Sequence, residues 1–296
     1  MASLKEIKTR INSVNSTRKI TSAMKMIASA KLRKAQVAIT NFLPYQQKLD
    51  AILTRLLASE ASTDLPYIQK RDVKRIGIVA FSSNSSFCGA FNANIIKEFK
   101  ASYQKYEHLG AENIRIYPIG KKIADAVKKM KLEAQGDYTA MADKPSYSDV
   151  QELAKSLVEK FVTKELDEII LIYFHFKSTG TQILTNKTYL PFDLNAEGEG
   201  EEQTKTTGYE ADYIYEPSKE EILDSLIPTV LYSRLYAALL DSNASEFAAR
   251  TMAMQIATDN ADELLQDLKI EYNKTRQQAV TNELLDIIGG ASALEG

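Results

Sequence analysis

Along the first fifth of the chain, apolar residues recur at helical spacing. Leu4, Ile7, Ile11 and Val14 fall at steps of three and four, and Ile20, Met24 and Ile27 resume the stripe after a slip. The small residues Ala28, Ala30, Ala35 and Ala38 follow. The pattern predicts a helix from about Ser3 to Ser59, with Pro44 as the one position that kinks or divides it. At 1.5 Å per residue an unbroken helix of that span is roughly 80 Å long, too long to bury its stripe against a compact domain alone. It needs a partner helix of comparable length.

The C-terminal quarter supplies one. Ser218-Lys219-Glu220-Glu221, after Pro217, has the form of a capping box, and Pro228 sits early enough to kink the helix rather than end it. Ala238, Ser242, Ser245, Ala249, Met252 and Ile256 then alternate steps of four and three. That is a heptad seam, and its small residues let two helix axes approach closely. Helical composition runs on through Leu264, Leu265, Leu268, Leu284 and Ile287 to Gly289-Gly290, a predicted stop. The two terminal segments pair as a long antiparallel coiled coil; the alternative is two separate amphipathic helices on a globular core.

Between them the pattern alternates. Strands are predicted over Val73–Phe81, Ile114–Ile119, Glu168–Phe176 and Gln182–Phe192, and helices over Ala90–Tyr106, Gly120–Met130 and Ser148–Lys164. Strand–helix alternation argues an α/β class with a parallel-rich, Rossmann-like sheet covered on both faces. The organisation read from this is a coiled-coil helix over 1–60, an α/β domain over 70–195, an acidic loop or linker over 196–216 and a second coiled-coil helix over 217–296. Glu197–Glu202, rich in acids and glycine, reads as a solvated loop within that linker.

Composition narrows the chemistry. In 296 residues there is one cysteine, Cys88, so no disulfide framework or paired-cysteine zinc or redox motif is possible. The two histidines, His108 and His175, leave few metal ligands. The longest apolar run, Ile169 to Phe174, is far short of a membrane span, and no secretory signal is visible at the N-terminus. The net charge of −2 conceals an asymmetry: residues 1–49 hold ten Lys or Arg against one acid, Glu6. Such a basic arm points to an acidic partner, whether nucleic acid, anionic lipid or protein.

Catalytic constellations are missing. Neither GxxxxGK[ST] nor GxGxxG occurs. The polar turn Ser82-Ser83-Asn84-Ser85-Ser86-Phe87-Cys88-Gly89-Ala90 lies where a doubly wound fold holds a phosphate. Few of its residues are the glycines that admit a pyrophosphate, so a connection with helix-capping serines is the better reading. Cys88 has no histidine at a known spacing to act as base, and His175 sits at the end of an apolar strand. Glu271, Glu283 and Asp286 read as surface acids. No catalytic, cofactor-binding or metal-binding residue is expected. The basic helix fits a solvated face, a transit peptide, a nucleic-acid arm or a helix facing acidic protein surfaces; the nucleic-acid reading lacks interleaved aromatics before Phe42 and Tyr45.

The segment from Ile7-Lys8-Thr9-Arg10-Ile11-Asn12-Ser13-Val14-Asn15-Ser16-Thr17-Arg18-Lys19-Ile20-Thr21-Ser22-Ala23-Met24-Lys25 to Lys31 closely resembles the N-terminal helix of the gamma subunits of F-type ATP synthases. Asp259-Asn260-Ala261, Arg276-Gln277, Val280-Thr281-Asn282-Glu283-Leu284-Leu285-Asp286 and Gly290-Ala291 are similar to that family's C-terminal signature. Two departures stand out. Asn84-Ser85 occupy places where the family often has Asp-Arg, so any role of that charged pair does not transfer, and the regulatory cysteine pair of chloroplast forms is absent.

The resemblance implies a non-catalytic central rotor shaft that couples proton translocation to ATP synthesis at the beta subunits. Its implied partners are the ring of alpha and beta subunits, the epsilon subunit and the membrane c-ring, with no nucleic acid and no membrane span of its own. Its implied place is peripheral, on the cytoplasmic face of a bacterial inner membrane, held there by the complex. By the same resemblance Met24 meets the beta lever region, and Lys25, with nearby bases such as Arg33, faces acidic groups. Arg276 and Gln277 contact a beta loop, and Thr281 and Glu283 support coupling. The rival readings are a basic coiled-coil nucleic-acid binder and an enzyme built on the α/β domain.

Overall fold

The computed structural model describes residues 3–58, 66–192, 216 and 218–294. Helix α1 spans Leu4–Ala58 and helix α6 spans Lys219–Leu294. Between them lie β1 (Ile76–Phe81), α2 (Phe91–Tyr106), β2 (Ile114–Ile119), α3 (Lys121–Lys129), α4 (Thr139–Asp143), α5 (Tyr147–Val162), β3 (Glu168–Ser178) and β4 (Thr181–Leu190). The chain forms two compact units, one of Lys31–Ala249 and one of Met1–Ala30 with Arg250–Gly296. Each long helix contributes to both. The Glu197–Glu202 loop and nearly all of the 196–216 linker lie outside the described residues.

In the larger unit a four-stranded sheet has the order β2-β1-β3-β4. β1 pairs in parallel with β2 and β3, and β4 runs antiparallel to β3. Alternation along the strands splits their side chains between two cores. Val79, Phe81, Tyr117, Ile119, Leu171 and Tyr173 pack with Leu153, Leu157 and Phe161 of α5, Leu53 of α1 and Leu231 and Leu235 of α6. Ile76, Ile78, Ala80, Ile116, Ile172 and Phe174 pack with Ile95 and Phe99 of α2 and Ile123 of α3. Each large aliphatic or Phe side chain among these contributes about 1.5–3 kcal/mol once buried.

Gly120 illustrates how tightly the strand ends are built. It closes β2 with φ 100°, and a Cβ there would lie 2.1 Å from the Ser82 carbonyl oxygen. Only glycine fits.

In the smaller unit α1 runs antiparallel to α6: Arg18 meets Asp262 at 2.9 Å, and the Thr21 and Thr258 hydroxyl oxygens lie 2.9 Å apart. In this unit Leu4, Ile7, Ile11, Val14, Arg18, Thr21, Lys25 and Ala28 of α1 are buried or half-buried in an unbroken heptad alternation, flanked by half-buried Asn15, Ser22, Met24 and Ser29. The expected slip does not occur. Of the three residues expected to resume the stripe, Ile20 and Ile27 are 60% and 61% exposed and Met24 is half-buried. The seam instead carries polar residues whose aliphatic stems cover the partner helix while their heads reach water.

The partner seam differs from expectation in the same way. Ala238, Ser242 and Ser245 of α6 are buried and Ala249 is half-buried, but Met252 and Ile256 are exposed. Beyond Ala249 buried and half-buried positions recur at Met254, Thr258, Ala261, Leu265, Leu268, Tyr272, Thr275 and Ala279, with Asp262 reaching Arg18 beside them. The recurring positions keep steps of four and three, so the seam changes register once, between Ala249 and Met254, and extrapolating the first register misses the second.

Three local expectations are also revised. Pro44 does not divide α1: Thr40, whose carbonyl loses its partner, and Pro44 are both exposed, so water can satisfy the break. Gly289 and Gly290 do not stop α6, because neither takes the positive φ of a glycine cap and the helix continues to Leu294. The five-residue helix α4 was not anticipated. At the other end, the Glu221 amide donates to Ser218 Oγ at 3.2 Å, half of the predicted capping box.

Candidate functional site

Two places in the fold could carry function: the crevice at the C-terminal ends of the parallel strands, and the exposed faces of the two long helices. The crevice is where an open α/β sheet ordinarily binds ligands. Here its polar groups are spent on the fold itself. The Ile123 amide donates to Ser82 Oγ at 2.9 Å and the Lys121 amide to Asn84 Oδ1 at 2.8 Å, so the first turn of α3 has no such amides left for an anion. Asn84 also donates to the Thr139 carbonyl at 2.8 Å, which gives the residue standing in the family's Asp-Arg pair a structural task. Asn92 Nδ2 lies 2.8 Å from Ser83 Oγ and 3.0 Å from Cys88 Sγ, and the thiol is buried. The serine turn is thus a connection, as expected, but it caps α3 rather than the helix that follows it.

Helix α6 then fills the space. Ser245 Oγ donates to the Phe174 carbonyl at 3.2 Å, and Asn243 Nδ2 donates to the Ala142 carbonyl at 2.9 Å. Asp241 accepts from the Phe176 amide at 3.4 Å and lies 2.7 Å from His175 Nδ1. The gap left among Phe81, Ser82, Ile119, Leu239, Ser242 and Glu246 measures about 10 Å³, room for roughly one water molecule. No nucleotide fits. Among the described residues no group of three or more His, Cys, Asp or Glu could hold a metal ion, and no helix is long and apolar enough to cross a membrane.

The helix faces are different. The last turns of α6 overhang α1: with Arg18 opposite Asp262, equal rise along both helices brings Leu4 roughly level with Arg276. From Arg276 to Ala291 every residue but Ala279 is exposed. Val280, Leu284, Leu285, Ile287 and Ile288 lie among them, a concentration of exposed apolar surface that marks an interaction site. Ile20, Met26 and Ile27 expose a smaller apolar patch on α1.

The seven candidate residues fall on these faces without forming one cluster. Arg276, Gln277, Thr281 and Glu283 share the exposed end of α6, where Thr281 Oγ1 donates to the Gln277 carbonyl at 2.9 Å. Met24 is half-buried, and Lys25 is half-buried at a seam position rather than on the outer face. Arg33, in the larger unit, is exposed. The basic arm also finds part of its acidic partner inside the chain, as Arg18 with Asp262 shows. Sequence reading missed the reciprocal cap that starts α1: the Ser3 amide donates to Glu6 Oε2 and the Glu6 amide to Ser3 Oγ, both at 3.2 Å. The signal was there as Ser-x-x-Glu before an apolar stripe.

Long helices with exposed apolar ends and a sheet crevice closed by one of them describe a part that works against other proteins. The comparisons identify the assembly. A family profile described as ATP synthase matches residues 3–294. The ATP synthase gamma chain of Bacteroides fragilis is 59% identical over 293 residues, covering 99% of this chain and 100% of that one. The chain belongs to the ATP synthase gamma chain family. The gamma chain of Parabacteroides distasonis is 49% identical, with 99% of each chain covered. Among solved structures, a chain of the Euglena gracilis mitochondrial ATP synthase (OSCP/F1/c-ring, rotational state 3) matches with a TM-score of 0.63 at 20% identity. That match covers 98% of this chain and 94% of the other. A chain of the Tetrahymena thermophila central stalk and c-ring matches with a TM-score of 0.56 at 20% identity, covering 80% and 99%. At that identity the structures bear on the fold, which agrees with the coiled coil plus α/β domain expected. Gamma chains are the non-catalytic rotor subunits of the F-type central stalk. The nucleic-acid and enzyme readings have no support.

Proposed function

We propose that the chain is the rotating shaft through which proton flow in a membrane c-ring drives ATP synthesis at the beta subunits of an alpha–beta ring. The observation that carries this reading is the contrast along α6. The helix is buried where the α/β domain surrounds it and bare and apolar over its last turns. A helix built so is held at one end and presented to a partner at the other. In this reading the alpha–beta ring surrounds Val280, Leu284, Ile287 and the outer patch at Ile20 and Ile27. Arg276, Gln277, Thr281 and Glu283 supply polar contacts to beta, and Met24, Lys25 and Arg33 meet its acidic lever region. The α/β domain binds epsilon and the c-ring, on the cytoplasmic face of a bacterial inner membrane. Asymmetry of the shaft drives each beta site through different nucleotide affinities in turn.

The test is covalent. In a Cys88→Ser background, one cysteine replaces Lys25 and a second is placed on the facing beta surface of the assembled complex. Oxidation should stop steady ATP turnover and proton pumping together, leave nucleotide bound at the beta sites, and be undone by reductant. Full turnover in a completely cross-linked preparation would refute rotation.

A further inference from the structure

A shaft that turns has to be gripped, and apolar packing alone grips poorly. Hydrophobic contact is non-directional, so it holds a helix in place without fixing its angle about its own axis. Directional bonds and interlocking shape fix the angle. In the larger unit α6 is enclosed on every side: all residues from Ser242 to Ala248, about two turns, are buried. A helix segment exposed on no face is unusual for a surface helix, and four of these seven side chains are polar: Ser242, Asn243, Ser245 and Glu246.

The enclosing elements occupy different sectors. The end of β3 meets Asp241 and Ser245 through Phe174, His175 and Phe176. The ends of β1 and β2, with Phe81, Ser82 and Ile119, face Ser242 and Glu246. α4 meets Asn243 through the Ala142 carbonyl. α1, with Leu32 and Ala35, packs on Ala244, Phe247 and Ala248. At about 100° per residue, Asp241 and Asn243 point to nearly opposite sides of the helix. Each bond is distorted by turning in either sense, and two on opposite sides also resist tilting of the helix about either one. The carbonyls and amide they bind belong to the sheet end and to α4, backbone that a rigid core holds still.

We infer that Asp241, Asn243 and Ser245 are positioning residues for energy coupling: they key α6 to the α/β domain, so that torque entering the domain reaches the coiled coil without slip. The ligand crevice of an α/β sheet serves here as the socket of a drive joint. The inference rests on the rotor reading above.

The test removes the keys and then restores one. His175→Cys and Asp241→Cys are combined with Asn243→Ala, Ser245→Ala and Cys88→Ser in the whole complex, reconstituted in proteoliposomes. Protons pumped per ATP hydrolysed are measured without a gradient and against one. Reduced, the variant should match wild type without load and pump several-fold fewer protons per ATP as the gradient rises. Oxidation, by tying β3 to α6, should return the loaded ratio to wild type. A purely structural defect would lower unloaded and loaded pumping alike, and oxidation would not separate them; that result overturns the inference. Wild-type coupling under load in the reduced variant also overturns it. Either failure leaves the ring-to-shaft cross-link free to stop turnover, so loss of this joint is distinguishable from loss of the rotor reading.

Discussion

The same two helices are built by different rules in the two units. In the larger unit α6 is surrounded over Ser242–Ala248, where aliphatic and aromatic contacts are interleaved with the hydrogen bonds of Asn243 and Ser245. In the smaller unit α1 and α6 have only each other along a narrow seam, part of which is Arg18, Thr21, Lys25 and Thr258. The first arrangement buries its apolar side chains within the chain. The second leaves Ile20, Ile27, Leu284 and Ile287 in water, which an isolated chain gains nothing by keeping. Their retention makes sense when stability there is supplied by other subunits, and it explains why apolar character is a poor guide to the seam.

The comparison can be broken most decisively in the core. Phe161→Ala, at a fully buried position of α5, should cost about 3–5 kcal/mol, whereas Ile27→Ala on the outer face of α1 should stay within about 0.5 kcal/mol. Denaturant titration of the purified chain measures both, and equal losses would show that the faces are not distinct.

A smaller effect is read with base. Burial, and then the neighbouring Glu168 carboxylate, push the Tyr106 phenol up to about 12. A raised phenol contributes stability that is complete below its ordinary value near 10 and is lost as pH rises through about 12. Burial also raises Tyr67, Tyr138, Tyr189, Tyr232 and Tyr236, so the larger unit should lose stability in strong alkali. Phenolate absorbance should show Tyr106 ionising at lower pH in Glu168→Gln than in the wild type; an unchanged profile would remove the carboxylate from the account.

The smallest effects belong to the seam. Arg18→Ala should cost only about 0.2–1 kcal/mol, less at high salt, because both partners of the Asp262 pair are well exposed. Replacing Thr21 and Thr258 together by valine should be nearly neutral, since both polar partners go at once. A loss above about 2 kcal/mol in either, by thermal unfolding, would make the seam a core after all.

What could be read in the sequence follows the same divide. β2 agrees with the expectation to the residue, because every position of Ile114–Ile119 but Arg115 is buried and apolar. β3 runs on through Lys177 and Ser178, where cross-strand pairing with β4 outweighs polar composition. The seam of α1 departs from the apolar pattern after Val14 because Ile20 and Ile27 face outward, while Met24 is half-buried and Ala28 is buried. The candidate residues on the helix faces came from family resemblance, and burial places them without assigning partners. The closing of the crevice by α6 was illegible, since no local pattern reveals which distant helix fills a cleft between strands.

The socket around Ser242–Ala248 also sets the order in which the protein can mature on the ribosome. α1 is complete at Ala58, yet α6 begins only at Lys219. At about 5–20 residues per second the earliest helix waits many seconds with its seam in water. The sheet can assemble meanwhile, but its central cleft stays open until α6 is made. Closure of the larger unit therefore waits on α6, and nascent chains stalled before it should be the species that chaperones hold.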